Sequence, residues 1–317
     1  MSHNGLLVLS LDFEMMWGAI CCSSGIYNKM KHSVEHEEEI VDNLLWLFQK
    51  YNIHATWATV GAIGIKEIEN FKQKFNYEIE YDTLRIDFKY IADLIKENEN
   101  LYFSPELLNR ICSVEGQFIG SHTFTHLYTE KAIVLEDILD KELKATSDIL
   151  QNFTSDVKSI VFPKNQVPED MRRVLLKNGI SIVRGIPLHW RGSSSLLDRV
   201  WRFADSYIPL SSSNDFSRKS CLGDKIFNIR ASRFFRPYSA KLFFLEYLKM
   251  IKIKTEMTNA AKKGTIYHLW FHPHNVGTGI NHNIKELDNI FKHYIKLNKK
   301  YGFTSVSMEE CILHLSK

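Results

Sequence analysis

Residues 6–14 read Leu-Leu-Val-Leu-Ser-Leu-Asp-Phe-Glu, a nearly unbroken apolar run that ends in two carboxylates. A short apolar run bounded by polar residues is typical of a strand that is buried on both faces of a parallel sheet. Side chains two positions apart on a strand share a face, so we expect Asp12 and Glu14 to point the same way. On spacing alone, a functional cluster and two exposed acids at a strand end explain the pair equally well.

Apolar runs and segments of helical periodicity alternate along the rest of the chain. Strands are predicted at 55–60, 117–121, 158–162, 180–183, 265–271 and 304–307. Helices are predicted at 36–51, 135–153, 169–178, 239–261 and 282–301, with a short helix from 308 onward. This alternation predicts an α/β fold with a largely parallel sheet, although periodicity cannot separate a barrel from an open sheet.

The 317 residues are expected to form a single domain, because no internal repeat or low-complexity linker interrupts them. The pattern of residues 62–115 predicts a helical insertion in the domain. Residues 191–236 contain two serine runs and predict a long irregular segment, of the kind that shapes substrate grooves.

Charge, apolar runs and cysteine content argue against several classes of function and location. The net charge is +3, from 40 basic and 37 acidic residues, and no long basic run occurs, which argues against a nucleic-acid partner. No apolar run approaches the roughly 18 residues of a membrane span, and the first apolar run is too short for a signal peptide. Five cysteines without a Cys-x-x-Cys pair indicate reduced thiols. We therefore expect a cytoplasmic protein.

His122 and His126 directly follow a predicted strand. Their i, i+4 spacing allows two imidazoles to reach one metal ion from a tight turn or loop, and Gly120 permits a sharp turn there. The same spacing occurs at His32 and His36, which lie among Lys and Glu residues and predict a solvated helix start. His268 lies inside an apolar strand and is expected to be a core histidine.

Glu14, His122 and His126 together would form a two-histidine, one-carboxylate site. Such a set is found in catalytic zinc sites and also in the facial triad of non-haem iron oxygenases. A hydrolase needs in addition a base and an acid. Asp12 and His272 follow predicted strands and are placed for those roles.

Four stretches resemble the motifs of the polysaccharide deacetylase family, a chitin deacetylase-like group of metal-dependent carbohydrate esterases. They are Leu9-Ser-Leu-Asp-Phe-Glu14, Ala55-Thr-Trp-Ala-Thr-Val-Gly61, Gly120-Ser-His-Thr-Phe-Thr-His126 and Leu269-Trp-Phe-His-Pro273. They occur in the family's order between residues 5 and 275, which makes chance agreement improbable.

The resemblance implies a distorted (β/α) barrel of about seven strands that removes acetyl from an N-acetylated sugar. It implies a divalent metal ion, with zinc the expected one, bound by His122 and His126. Glu14 stands where branches with an Asp-x-Asp/Glu motif place the metal carboxylate. By the same resemblance, Asp12 is the base and His272 is the acid.

The third family motif, R-x-P, is altered here to Val161-Phe-Pro-Lys-Asn-Gln166, and its Arg is absent. The candidate substrate-binding residues are therefore Lys164, Asn165, Gln166 and Arg184. The candidates for the residue that tethers the base are Arg184, Arg202 and Asp205.

These observations predict a deacetylase that acts on an N-acetylated saccharide or polysaccharide precursor in surface polysaccharide biosynthesis. One alternative is a catalytically altered member of the same fold that binds a saccharide or a partner protein. A non-haem iron oxygenase is a second alternative, but such enzymes usually carry the carboxylate close to the first histidine on an all-β scaffold. Here Glu14 lies far from His122 in an α/β pattern.

Overall fold

The computed structural model describes residues 4–81, 84–96, 98–129, 136–165, 167, 169–187, 195–208 and 213–315. Its strands are β1 (Leu6–Phe13), β2 (Ala55–Thr59), β3 (Ile79–Tyr81), β4 (Leu84–Ile86), β5 (Gln117–Ser121), β6 (Ser159–Ile160), β7 (Ile182–Val183), β8 (Phe227–Asn228), β9 (Arg233–Phe234), β10 (Ile266–Phe271) and β11 (Thr304–Val306). Its α-helices are α1 (Ser24–Val34), α2 (Glu37–Tyr51), α3 (Ile68–Lys74), α4 (Phe88–Ile95), α5 (Pro105–Cys112), α6 (Glu136–Leu150), α7 (Arg172–Lys177), α8 (Leu196–Tyr207), α9 (Phe243–Lys263), α10 (Pro273–Val276), α11 (Ile280–Tyr301) and α12 (Met308–Leu313). The described part of the chain contains no helix with both the length and the apolar composition that crossing a bilayer requires.

All strands except β3 and β4 form one parallel sheet, in the order β8-β7-β6-β5-β2-β1-β10-β9, and β11 pairs with the first half of β1. Strands β8 and β9 lie on one chain segment, whose start pairs with β7 and whose end pairs with β10. Backbone hydrogen bonds join Ile229 to Val183 on one side of this segment and Ser232 to His268 on the other. The sheet therefore curls into a distorted (β/α) barrel, which confirms the predicted fold class. In the described part of the chain, the wall of the barrel is formed by seven strand positions, which are β1, β2, β5, β6, β7, the β8–β9 segment and β10.

The two faces of β1 lie in different environments. Alternate residues pack outward into the core beneath the helices, and these are Leu7, Leu9, Leu11 and Phe13. Leu6 and Val8 belong to a second apolar cluster, to which β2, β7, β10 and β11 also contribute, so this cluster lies in the barrel interior. Ser10 and Asp12 share the inward face because strand side chains alternate with a period of two. The barrel interior thus changes from apolar to polar toward the carboxyl ends of the strands.

Residues 191–236 are more regular than the sequence predicts. Helix α8 occupies Leu196–Tyr207, and the hydroxyl of Ser195 caps its first turn. The apolar residues of α8 do follow helical spacing. The sequence nevertheless predicts an irregular segment because serine runs, which are typical of loops, lie on both sides of the helix. Residues 191–194 and 209–212 lie outside the described residues.

The insertion at 62–115 contains the predicted helices, α3 to α5, and also a β-hairpin. Strands β3 and β4 are antiparallel, with Ile79 opposite Ile86. Each has only three residues, which is too short for an alternating pattern to stand out from the sequence. Residues 82–83, between the two strands, lie outside the described residues.

Candidate active site

Three side chains of types that bind metal ions meet at the mouth of the barrel. Glu14 follows β1, whereas His122 and His126 follow β5, and all three are buried. The Nε2 atom of His126 lies 2.8 Å from Oε2 of Glu14, and the Nε2 atom of His122 lies 3.5 Å from the same oxygen. One ligand atom of each residue lies within 4.8 Å of the other two. Side chains that are distant in the sequence thus converge on one point.

The donor set and its orientation fit a zinc-type ion. Two imidazole nitrogens and one carboxylate oxygen are a common ligand set of catalytic zinc. The Nδ1 atom of His122 lies 2.6 Å from the backbone carbonyl of Val161. A carbonyl only accepts hydrogen bonds, so Nδ1 carries a proton, and Nε2, the nitrogen nearer Glu14, is the ring atom available to a metal ion. Metal-binding histidines are usually oriented by such a contact.

The charge of Glu14 also favours a cation. Burial raises the pKa of this carboxyl, but the imidazoles of His126, His272 and His122 outweigh burial, and the pKa lies well below its usual value. A buried carboxylate is costly unless a cation or several hydrogen bonds compensate it. The ion pairs of Glu14 within the described residues all involve histidines, with no Lys or Arg among them.

The loop that carries the two histidines has an unusual backbone. Thr123 and His126 both adopt left-handed conformations, with φ of 63° and 64°. Residues with a Cβ pay about 1 kcal/mol or more for this conformation, so other contacts must hold the loop. The sequence assigned the turn to Gly120, but that residue lies inside β5, where a side chain would overlap Ser159.

Glu142 of α6 holds this loop from behind. Its carboxylate is fully buried and accepts hydrogen bonds from the backbone N–H groups of Phe124 (2.7 Å) and Thr125 (2.9 Å). It also accepts bonds from the hydroxyls of Thr125 (2.7 Å) and Tyr77 (2.6 Å). One side chain therefore fixes the backbone between the two histidines. Sequence reasoning missed Glu142, because nothing in the regular pattern of α6 sets it apart.

Asp12 lies deeper in the barrel and is paired with Arg184. The guanidinium donates two hydrogen bonds to the carboxylate, at 2.6 and 2.7 Å, and further bonds to Ser10 (2.9 Å) and Asn165 (2.6 Å). Burial raises the pKa of Asp12, but Arg184 outweighs it, with contributions from His122 and His272, so the pKa lies below its usual value. The carboxylate is thus ionised and fixed in place.

Arg184 does not have the surroundings of a substrate-binding residue, which is one of the two roles that the sequence suggested for it. Its side chain is 0% exposed, and its donors are directed at protein groups. Its guanidinium also lies 4.3 Å from the ring centre of Trp270. The placement matches the other suggestion, a residue that tethers Asp12.

Two histidines follow β10 and face the same centre. The Nε2 atom of His272 lies 3.7 Å from Asp12 and 3.8 Å from Glu14, and Nδ1 lies 3.2 Å from the amide nitrogen of Asn275. The Nε2 atom of His274 lies 3.9 Å from Glu14, and burial lowers the pKa of this imidazole to about 4. Sequence reasoning missed His274 as a residue of this site. Its i+2 spacing from His272 is the signal that could have assigned it to the site.

A cleft of about 660 Å³ opens beside His272. Lys164 and Asn165 line it, as expected for substrate-binding residues, whereas Gln166 lies outside the described residues. The ammonium of Lys164 lies 4.4 Å from the ring centre of Tyr128. The cleft also contains aromatic rings that offer flat apolar surfaces for a sugar, and these are Trp201, Phe203, Phe234 and Trp270.

Arg202 and Asp205, the other two candidates for tethering the base, also line this cleft. Asp205 is paired with Lys252 at 2.9 Å and with Arg233 at 3.5 Å. Neither Arg202 nor Asp205 is among the described contacts of Asp12. The cation paired with Asp12 there is Arg184.

The family model for polysaccharide deacetylase matches residues 28–183 of this chain. The fold is similar to that of a Mycobacterium smegmatis protein assigned as a polysaccharide deacetylase, with a TM-score of 0.58, 13% identity, and coverage of 100% of this chain and 91% of that one. A second protein with this assignment, from Pseudomonas aeruginosa PAO1, has a TM-score of 0.53 and 11% identity, and the match covers 98% of this chain and 90% of that one. For Puue allantoinase the TM-score is 0.51 and the identity 12%, and the match covers 98% of this chain and 89% of that one. No curated protein sequence matches the chain significantly. At these identities the structural likenesses establish the fold alone.

Proposed function

Since the chain carries a domain of the polysaccharide deacetylase family, we propose that it is a metal-dependent hydrolase that removes acetyl from an N-acetylated saccharide. One observation carries the proposal. Glu14, His122 and His126 converge at the barrel mouth, and Asp12 and His272 face the same small volume. Metal-assisted amide hydrolysis uses metal ligands, a base and an acid, and these five side chains are of the types that fill those roles.

In this proposal, Glu14, His122 and His126 hold one divalent ion, with zinc the expected metal. A divalent ion at this position supplies Lewis acidity, which polarises a carbonyl oxygen and makes water more acidic. The contact of His122 with Val161 and the contacts of Glu142 with the loop keep the ligands oriented.

Asp12 acts as the base that takes a proton from the attacking water. Each of its oxygens accepts one hydrogen bond from Arg184, and each retains lone-pair capacity for a proton. Because Arg184 keeps the carboxylate ionised, the base is available across the neutral pH range.

His272 donates a proton to the departing amine. It is the more exposed of the two histidines after β10, with 21% of its side chain accessible, and it borders the cleft. The proposed substrate therefore lies in the cleft with its acetamido group directed at Glu14 and its sugar ring near Trp270.

The saccharide-binding alternative has less support, because a binding protein has no need for a paired base and acid beside a metal-ligand cluster. The role in surface polysaccharide biosynthesis stays a prediction.

The test combines metal analysis with a screen for acetate release from oligomeric and nucleotide-linked N-acetyl sugars. We expect about one divalent ion per chain and acetate release from at least one substrate, and His126→Ala should lose both. His36→Ala is the matched control, because His36 belongs to an exposed histidine pair with the same spacing. A protein that binds the metal but releases acetate from none of the sugars would support the binding alternative.

A further inference from the structure

A large apolar surface lies beside the cleft. We call it the apolar rim, and it is defined by Leu196 and Leu197 on α8 and by Phe243, Phe244, Tyr247 and Ile251 on α9. Between 44% and 81% of each of these residues is exposed. Monomeric proteins rarely expose a continuous apolar surface of this kind unless it binds something.

The rim is continuous with the active-site cleft. Leu196 lines the cleft, and α8 packs directly against α9. A groove between the two helices is lined by Ile208 from the end of α8 and by Ile251. A partner that covers the rim would therefore also lie over the entrance to the site.

Helix α9 is apolar on two opposite sides. Its inner side packs Ile253 and Met257 into the main core. On the outer side, Phe243 and Tyr247 have i, i+4 spacing, and Phe244 and Ile251 have i, i+7 spacing, so they form a stripe along one face. Apolar residues on a helix face normally pack against other apolar residues. Of this stripe, Phe243, Phe244 and Tyr247 are between 61% and 73% exposed.

Cations flank this stripe. Lys241 is exposed, Arg236 and Lys254 are half-buried, and none of the three forms an ion pair with an acid of the described part of the chain. Two acids, Glu246 and Glu286, line a groove beside Tyr247 and Lys254, and both are paired with Lys249. The surface therefore combines apolar side chains with uncompensated positive charge.

We propose that the apolar rim docks the protein onto an anionic lipid surface. Aromatic and aliphatic side chains on one helix face, flanked by Lys and Arg, are typical of segments that lie in the headgroup region of a bilayer. Each cation near an anionic surface contributes about 1 kcal/mol. Docking in this orientation brings the cleft to the lipid surface, where saccharides carried on lipids would reach it. The docking itself does not depend on the proposed function.

Vesicle co-sedimentation of the full chain tests the proposal. We expect binding to phosphatidylcholine vesicles that contain phosphatidylglycerol, weaker binding to phosphatidylcholine alone, and weakening by salt. The double variant Leu197→Glu/Phe244→Glu should lower the affinity about tenfold or more, since it places charges in the apolar contact. Lys241→Ala should lower it about fivefold.

The matched control is Trp46→Glu/Leu313→Glu, which changes two exposed apolar residues on α2 and α12, outside the rim. It should bind vesicles like the wild type. Equal binding by the rim variant and the control would overturn the proposal, as would no vesicle binding by the wild type. Sedimentation velocity adds a further check: a dimer that the rim variant dissociates would assign the rim to a second copy of the chain instead.

Discussion

Asp12 on β1 and Arg184 after β7 form a two-point ion pair that spans the interior of the barrel, with N–O distances of 2.6 and 2.7 Å. Strands β6, β5 and β2 lie between β7 and β1 in the sheet, so the contact exists only because the sheet curls. The long Arg side chain thereby fixes Asp12 from the opposite wall of the barrel.

Arg184→Lys should lower kcat by about tenfold or more while leaving the bound metal unchanged. Lysine keeps the charge but cannot donate the paired hydrogen bonds that orient Asp12. Steady-state kinetics together with metal analysis check this. Arg110→Lys is the control, because Arg110 also bonds to two acids, Glu38 and Asp42, but on the surface. An unchanged kcat in Arg184→Lys would show that the pair does not position the base.

Arg184→Met should destabilise the fold, because it leaves the carboxylate of Asp12 buried without its partner. Removing one partner of a buried pair costs about 3–5 kcal/mol. The free energy of unfolding from urea titration measures the loss. The double variant Asp12→Asn/Arg184→Met should recover part of it, since no buried charge remains. If the single and double variants are equally stable, the buried charge is not the cause.

Gly18→Ala should weaken metal binding while preserving the fold. A Cβ at Gly18 would overlap the carboxylate of Glu14, the flexible end of a side chain that can move aside. Disturbing the groups that orient a metal ligand typically costs about 10–100-fold in metal affinity. Zinc titration with a competing chelator measures the change. Gly25→Ala is the control, because its Cβ would meet open space, and equal affinities in the two variants would contradict the prediction.

Glu142→Gln should destabilise the loop between the histidines. The amide nitrogen of Gln cannot accept a hydrogen bond, so donors from Thr125, Phe124 or Tyr77 lose their partner, at about 1–3 kcal/mol each. Thermal unfolding and zinc titration should both show losses. Glu39→Gln, at an exposed position of α2, should show neither. A variant that is destabilised yet binds zinc normally would limit Glu142 to a structural role.

The ion pair between His54 and Glu310 should make stability depend on pH. Its N–O distance is 2.8 Å, and the hydrogen bond raises the pKa of His54 against the opposing effect of burial. A raised pKa in the folded state means that the stabilisation is complete below the unfolded value of about 6.5 and is lost as the pH rises through the folded value.

His54→Gln should therefore destabilise the protein by up to about 1 kcal/mol at pH 6 and by less at pH 9, as measured by urea titration. His36→Gln, at an exposed position before α2, serves as a comparison. A difference between wild type and His54→Gln that is the same at both pH values would contradict this assignment.

The parallel α/β sheet and the convergence of polar residues at one of its edges were accessible from the sequence because they follow from local patterns, whereas the barrel was predicted only by the family resemblance. The apolar run of β1 predicts a buried strand, and the period of two places Asp12 on the inward face. Parallel strands end at one edge, so His122 and His272 could be expected near Glu14.

Contacts that depend on closure of the sheet were not accessible. Arg184 was one of three candidate tethers of the base, but it acts on Asp12 from across the barrel, and no spacing in the sequence selects it over Arg202 and Asp205. Glu142 acts on a loop from a neighbouring helix and looks like any acid of an amphipathic helix. The interpretation of α8 as irregular has a different cause, since its apolar face is exposed and its flanking serine runs resemble a loop.

The central claim is that Glu14, His122 and His126 bind a single divalent ion. The most direct measurement is a crystal structure of the protein grown with zinc, with anomalous diffraction data collected on both sides of the zinc edge. We expect one strong anomalous peak about 2.0–2.2 Å from Nε2 of both histidines and from a carboxylate oxygen of Glu14. A peak elsewhere, or zinc-loaded crystals with no peak between these three side chains, would contradict it.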